Sequence, residues 1–276
     1  MAARPELLSY QRDGYVLVKG LMPLERVAAC MADLDAVFAD QLRVRGMADP
    51  GSLLRRAQAL LAADLAQFKK VMGALWRLHS VGQLFAEPRM GAFVQEVFGF
   101  RTLFMPGGQS VHVQSHGLKI PNGYFGLEPH QDWPSVQGSL DGLVAWVPLC
   151  HVASDTFPLE VVPGSHKGGL RAPFDGNTGD KWVVREYVDS DFTAIEAEPG
   201  DVVFFTNFTV HRSGLLGPEQ HIRIACSSRY DNGGEASFIE RGYPTAYTRG
   251  VHRPLLDYDG VDAVNAALAR QRGDTP

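Results

Sequence analysis

Glu198-Pro199-Gly200-Asp201-Val202-Val203-Phe204-Phe205 is the stretch on which the fold turns: a tight turn feeding a short apolar, β-favouring run. The same pattern repeats outward in both directions. Strands are expected at 102–105, 110–119, 142–148, 158–163, 182–187, 192–196, 201–206, 209–213 and 222–230. Turn chemistry separates them at Pro106-Gly107-Gly108, Pro121-Asn122-Gly123, Pro163-Gly164-Ser165 and Asp175-Gly176-Asn177. Many short strands with frequent turns favour a sandwich or jelly roll. Upstream of residue 100 the period changes from two to 3.6. Residues 23–45 carry Leu24, Val27, Met31, Leu34, Phe38 and Leu42 at helical spacing, and 52–79 continue the pattern behind a Ser52 N-cap. Residues 88–98 predict a third helix, and Gly14-Tyr15-Val16-Leu17-Val18-Lys19-Gly20 an isolated early strand. The expectation is an α+β chain, mainly β, with its N-terminal helices packed on one face of the β core. No linker stands out, so residues 1–276 read as one domain. It has a helix-rich part over 1–100, a jelly-roll core over about 101–233, and a covering segment over 234–276 with a helix near 260–271.

Composition narrows the function classes. The chain has 276 residues, 45% hydrophobic and 21% charged, with a net charge of −5. Such a chain carries no broad basic field, so nucleic acid is not expected as a partner. No apolar run has the length of a membrane span. Charges at Glu6, Arg12 and Asp13 come too early for a signal peptide. Cys30, Cys150 and Cys226 are odd in number and widely spaced, forming neither a disulfide framework nor a zinc pattern. Buried, inert thiols in a reducing cytoplasm are the expectation. Phosphate-cradling glycine motifs are missing from the sequence, which argues against a nucleotide site.

The candidate chemistry sits at His130-Gln131-Asp132. On a strand, residues i and i+2 share a face, so an imidazole and a carboxylate would converge. With one distant histidine they would make the 2-His-1-carboxylate triad that holds non-haem Fe(II) with positions left open. By itself the pair is weak and reads more readily as a surface or N-capping pair between Pro129 and Pro134. His211, after the Val202–Phe205 run, supplies a third ligand or is a structural histidine at a strand end. Arg223, within an apolar β run, either faces solvent or must find a partner inside. A dicarboxylate would suit its fork.

Taken together and in order, these segments resemble the phytanoyl-CoA dioxygenase-like family of Fe(II)/2-oxoglutarate-dependent oxygenases. The resemblance is carried by Asp13–Val18, Gln114-Ser115-His116-Gly117-Leu118-Lys119-Ile120-Pro121, Pro129-His130-Gln131-Asp132-Trp133, Val144–Leu149 and Leu159–Lys167. It continues through Gly200–Phe205, His211-Arg212-Ser213-Gly214, Arg223 and Arg229-Tyr230. It implies a cupin-like, double-stranded β-helix core, with Fe(II), 2-oxoglutarate and O2 as cofactors and cosubstrates. It implies His130, Asp132 and His211 as metal ligands. Arg223 and Ser213 match the residues for the distal carboxylate of 2-oxoglutarate, Gln114 a polar residue near its inner end, and Lys119 a recurrent lysine before the HxD pair. His211 and Arg223 stand 12 apart, one more than the family spacing, which makes Arg229 the fallback anchor. Asp132 is the carboxylate that halogenating members replace, so oxygenation or oxidation of a small metabolite, sugar-like or specialised, is the implied reaction. Trp133, Gln137 and His116 are candidates for the substrate mouth, His112 for packing or hydrogen bonding or for the pocket lining, and Asn207 and Arg212 for supporting His211. Two rival readings stay open. One is another metal-dependent cupin-like enzyme, an isomerase or a cosubstrate-independent oxygenase; the other is a non-catalytic small-molecule binding protein.

Overall fold

The computed structural model describes residues 4–105, 109–120, 125–171, 183–245 and 260–273. The turns expected at 106–108, 121–123 and 175–177 lie outside those residues, as does residue 182. The N-terminal part holds α1 (Pro5–Asp13), β1 (Tyr15–Val18), α2 (Leu24–Val44), α3 (Leu53–Ala63), α4 (Leu65–Met72), α5 (His79–Phe85) and α6 (Pro88–Phe98). The periodic stretch 52–79 is therefore not one helix. Asp64 leaves helical dihedrals (φ −153°) and its carboxylate accepts the Gln67 amide at 2.9 Å, capping α4 and ending α3. The apolar period survives the break because both pieces face one core.

The β part runs β2 (Leu103–Phe104), β3 (Ser110–Gln114), the one-turn helix α7 (Trp133–Val136), β4 (Leu143–Pro148), β5 (Leu159–Val161), β6 (Thr193–Ile195), β7 (Val202–Thr206), β8 (His211–Ser213) and β9 (Arg223–Asn232). The short α8 (Ala236–Glu240) and α9 (Val261–Arg272) follow. One antiparallel sheet has the order β1-β7-β4-β9-β2, with β3 also paired to β9; a second antiparallel sheet is β6-β5-β8. The strand expected at 182–187 is instead a single bridge from Val183 to His130.

Strand alternation explains the layering. Val202, Phe204, Leu143, Ala145, Val147, Ile224 and Cys226 point outward into a core shared with α2–α6, where Phe93 stacks on Phe204 at 5.2 Å. Val203, Phe205, Val144, Trp146 and Ala225 point the other way, toward Leu159, Val161 and Ile195 of the small sheet. The central strands β4 and β7 are buried on both faces, which is why they read as continuous apolar runs and not as alternation. The C-terminal α9 covers a separate cluster of Trp133, Leu140, Leu170 and Phe208. Among the described residues no helix is long and apolar enough to cross a membrane. The three cysteines are free thiols.

Candidate metal centre

Two backbone hydrogen bonds decide where the candidate ligands meet. His130 N donates to His211 O and His211 N donates to His130 O, each at 3.0 Å. This bridge hangs the His130 segment on the edge of β8, opposite the side that β5 occupies. Between the histidines and the next ligand, Gln131 is wholly buried. Its amide donates to Gly169 O and Phe208 O, and its oxygen accepts from Arg171 N.

Asp132 does not continue a strand. It adopts helical dihedrals (φ −78°, ψ −27°) at the N-terminus of α7, with Pro134 in the first turn. The convergence of His130 and Asp132 thus comes from a bridge followed by a helix start, not from strand alternation. The outcome is a compact set. His130 Nε2 and His211 Nε2 lie 3.4 and 3.8 Å from Asp132 Oδ1, and one potential ligand atom from each residue lies within 4.8 Å of the other two.

Both imidazoles are oriented from behind. His130 Nδ1 donates to Glu128 O at 2.7 Å and His211 Nδ1 to Thr209 O at 3.0 Å. A proton on each Nδ1 leaves each Nε2 lone pair turned inward, the tautomer a metal ligand requires. Burial, with His130 alongside, pushes the His211 imidazole down to about 3, so it is neutral at physiological pH. Burial alone would raise the Asp132 carboxyl. Arg229, then His130 and His211, outweigh it and hold the group well below the usual carboxylate range. Two imidazole nitrogens and one ionised carboxylate oxygen on one side of a point fit a divalent first-row metal.

A cavity opens between the two sheets beside this set. Val144, Trp146, Leu159 and Phe205 supply its apolar walls; His112, Ser213, Arg223, Ser227 and Arg229 supply its polar atoms. On β9 the period of two places Arg223, Ser227 and Arg229 on one face. Arg223 is 2% exposed; its Nε donates to Phe157 O at 2.9 Å and its Nη2 to Gln114 Oε1. Gln114 Nε2 donates to Gly214 O at 2.9 Å, so this side chain fixes the guanidinium of Arg223. Ser213 Oγ accepts from Leu127 N at 3.0 Å. His112 bonds Ser227 Oγ at 3.0 Å, and burial, followed by Arg223 and Arg229, pushes its imidazole down to about 3.

Other expectations need correction. Trp133 and Gln137 do not line this cavity. The chain turns into α7 directly after Asp132, which rotates Trp133 into the α9 cluster, stacked on Phe208 at 5.9 Å. Gln137 ends α7 in a left-handed conformation (φ +53°), its amide bonded to Pro134 O. The strand expected over 110–119 stops at Gln114, where His116–Leu118 form a 3-10 turn. His116 stacks on Phe125 at 5.3 Å, and exposed Lys119 lies 5.2 Å over the same ring. The described residues lining the cavity include neither. Arg229 is not a spare anchor, because its guanidinium is paired with Asp132. Arg212 pairs with Glu160 and Asp189 and does not support His211, and among the described residues Asn207 makes its hydrogen bonds through its backbone; the supporting atoms are backbone carbonyls. Those carbonyls and the Arg229 pairing were missed. The only signal in the sequence was the even spacing from Arg223 to Arg229.

The family model described as phytanoyl-CoA dioxygenase (PhyH) matches residues 10–216. The chain belongs to the phytanoyl-CoA dioxygenase family. The peroxisomal phytanoyl-CoA dioxygenase of Rattus norvegicus is 22% identical over 238 residues, covering 80% of this chain and 66% of that protein. Ectoine dioxygenase of Bordetella bronchiseptica is 24% identical over 169 residues, covering 59% and 49%. The chain therefore spans about half to two thirds of the length of these curated relatives. Among solved structures, the non-heme alpha-ketoglutarate-dependent epimerase SnoN superposes with a TM-score of 0.53 at 22% identity, covering 82% of both chains. The non-heme monooxygenase ThoJ gives 0.56 at 14%, covering 82% of this chain and 77% of that one. These likenesses show a shared fold. The family match ends before β9, so the roles of Arg223 and Arg229 rest on the geometry above.

Proposed function

We propose that this protein is an Fe(II)- and 2-oxoglutarate-dependent dioxygenase acting on a C–H bond of a small metabolite, and that its two sheets are the halves of a double-stranded β-helix. His130, Asp132 and His211 would hold the iron. Arg223 and Ser213 would take the distal carboxylate of 2-oxoglutarate. Bound iron with O2 would supply the oxidising power, as 2-oxoglutarate is converted to succinate and carbon dioxide. The chain supplies the rest. His130 and His211 would offer their inward-facing Nε2 atoms, and Asp132 would bring the one formal negative charge of the ligand set. Val144, Trp146, Leu159 and Phe205 keep water from the cavity walls, which strengthens every charge interaction inside. Arg223 sits in that cavity with its orientation already set by Phe157 O and Gln114, so a carboxylate meets a fixed fork. Asp132 occupies the third ligand position, which favours oxygenation or oxidation over halogenation.

The observation that carries this reading is the convergence of three ligand atoms whose two imidazoles are already locked in the ligating tautomer. Anaerobic titration tests it. A visible charge-transfer absorption should appear only when Fe(II) and 2-oxoglutarate are both present, and should vanish in Asp132→Ala. Iron binding that is indifferent to 2-oxoglutarate would overturn the reading in favour of a cosubstrate-independent metalloenzyme. No iron binding would leave a binding protein. With the absorption in hand, substrate-stimulated succinate release across a metabolite library finds the substrate.

A further inference from the structure

Arg229 is bound to the metal set more closely than any other cation in the site. It is 7% exposed, and Asp132 is 3% exposed. Two donors of the same fork, Nε at 3.0 Å and Nη2 at 2.5 Å, converge on a single carboxylate oxygen, Oδ2. The other oxygen, Oδ1, is the one that faces both imidazole Nε2 atoms. Arg229 is itself held, since Nη1 donates to Ser227 Oγ at 3.3 Å and that oxygen also bonds His112. A carboxylate can bind a metal through one oxygen or both. An aspartate whose Oδ2 is occupied by a buried guanidinium has one oxygen to give.

We propose that Arg229 is a positioning residue that makes Asp132 a one-oxygen ligand and so preserves an open coordination position; this rests on the iron-site reading above. Two lesser roles make opposite or weaker demands. A cation beside a ligand that acted only through its charge would repel a metal ion, so its removal would tighten metal binding. A cation that only stabilised the fold would leave the spectrum of the bound metal untouched.

Co(II) added to the full-length protein under anaerobic conditions separates these roles, with affinity read by calorimetry and coordination by the visible d–d spectrum. In Arg229→Gln the Co(II) affinity should fall about 10- to 100-fold, the scale typical of losing a residue that orients a ligand. The d–d bands should change shape as Oδ2 becomes available. Arg229→Lys keeps the charge and loses the fork. It should fail to restore the wild-type spectrum, and it serves as the decisive variant if the glutamine protein does not fold. Unchanged or tighter Co(II) binding in Arg229→Gln overturns the proposal, as does a lysine variant with wild-type affinity and spectrum. Wild-type protein that binds no Co(II) overturns the metal-site reading itself, and the positioning role with it. Wild-type binding with indifferent variants removes only the positioning role.

Discussion

Removing the guanidinium of Arg223 tests the cosubstrate assignment most directly. The group is 2% exposed and fixed by two acceptors, Phe157 O and Gln114 Oε1, so it contributes no mobile surface charge. A carboxylate docked on it would gain charge-assisted hydrogen bonds of about 1.5–3 kcal/mol each. A two-bond fork is therefore worth about 3–6 kcal/mol, which corresponds to roughly 10²- to 10⁴-fold in affinity. Arg223→Met keeps the volume and loses the fork. The assay is competition, under anaerobic Mn(II), between 2-oxoglutarate and 2-oxopentanoate, which has the same chain length without the distal carboxylate. The wild-type protein should prefer 2-oxoglutarate by that factor. The variant should lose the preference by binding 2-oxoglutarate more weakly, with 2-oxopentanoate unaffected. A variant that retains the full preference would show that the distal carboxylate is held elsewhere, and Arg223 would revert to a structural residue. Denaturation of both proteins is run alongside, because truncation leaves Phe157 O and Gln114 without their donor at a cost of about 1–3 kcal/mol each.

Two further perturbations follow from buried groups outside the ligand set. Burial raises the Asp231 carboxyl to about 7 against partial opposition from the Ser139 amide and hydroxyl. Its folded value lies above its unfolded one, so its contribution to stability is complete below the unfolded value and is lost as pH rises toward and through 7. Between about pH 5.5 and about pH 8 the wild-type protein should lose about 2 kcal/mol more than Asp231→Asn in urea unfolding; parallel pH profiles would contradict this. Gly14 ends α1 at φ +81°, and an added Cβ would sit 2.4 Å from His166 Nδ1 and 2.7 Å from Thr209 Oγ1. Gly14→Ala should cost about 2–4 kcal/mol from the left-handed backbone and the overpacking together. It should also weaken Co(II) binding, because Thr209 O orients His211; an alanine protein as stable as the parent would show that the neighbours yield freely.

What the sequence disclosed, and what it hid, divides along the range of the interactions. Local chemistry was legible. Val202-Val203-Phe204-Phe205 announced an apolar strand, and the structure gives it helices on one side and the small sheet on the other. Ser52 caps α3 as its position suggested. Non-local pairing was not legible from spacing; the joining of His211 to His130 and Asp132 came only through the family resemblance. The spacing of His130 and Asp132 suggests one strand face, yet the chain leaves extended geometry at Asp132. Pro134 was the local sign of that helix start. Metal-type convergence and the N-terminal helical position, set against each other as rivals in the sequence, coexist at Asp132. They can do so because the histidines are tied by cross-chain backbone bonds that no spacing rule reveals. Arg229 repeats the lesson. Its face was readable from Arg223 by counting in twos, whereas its partner, far back in the chain, was not. The same dependence argues that the ligands are organised without the metal. Every contact that aims them is made to backbone or to a buried, hydrogen-bonded side chain. The cost of ordering them is therefore met by folding, and a metal and cosubstrate bound as proposed would meet a geometry already in place.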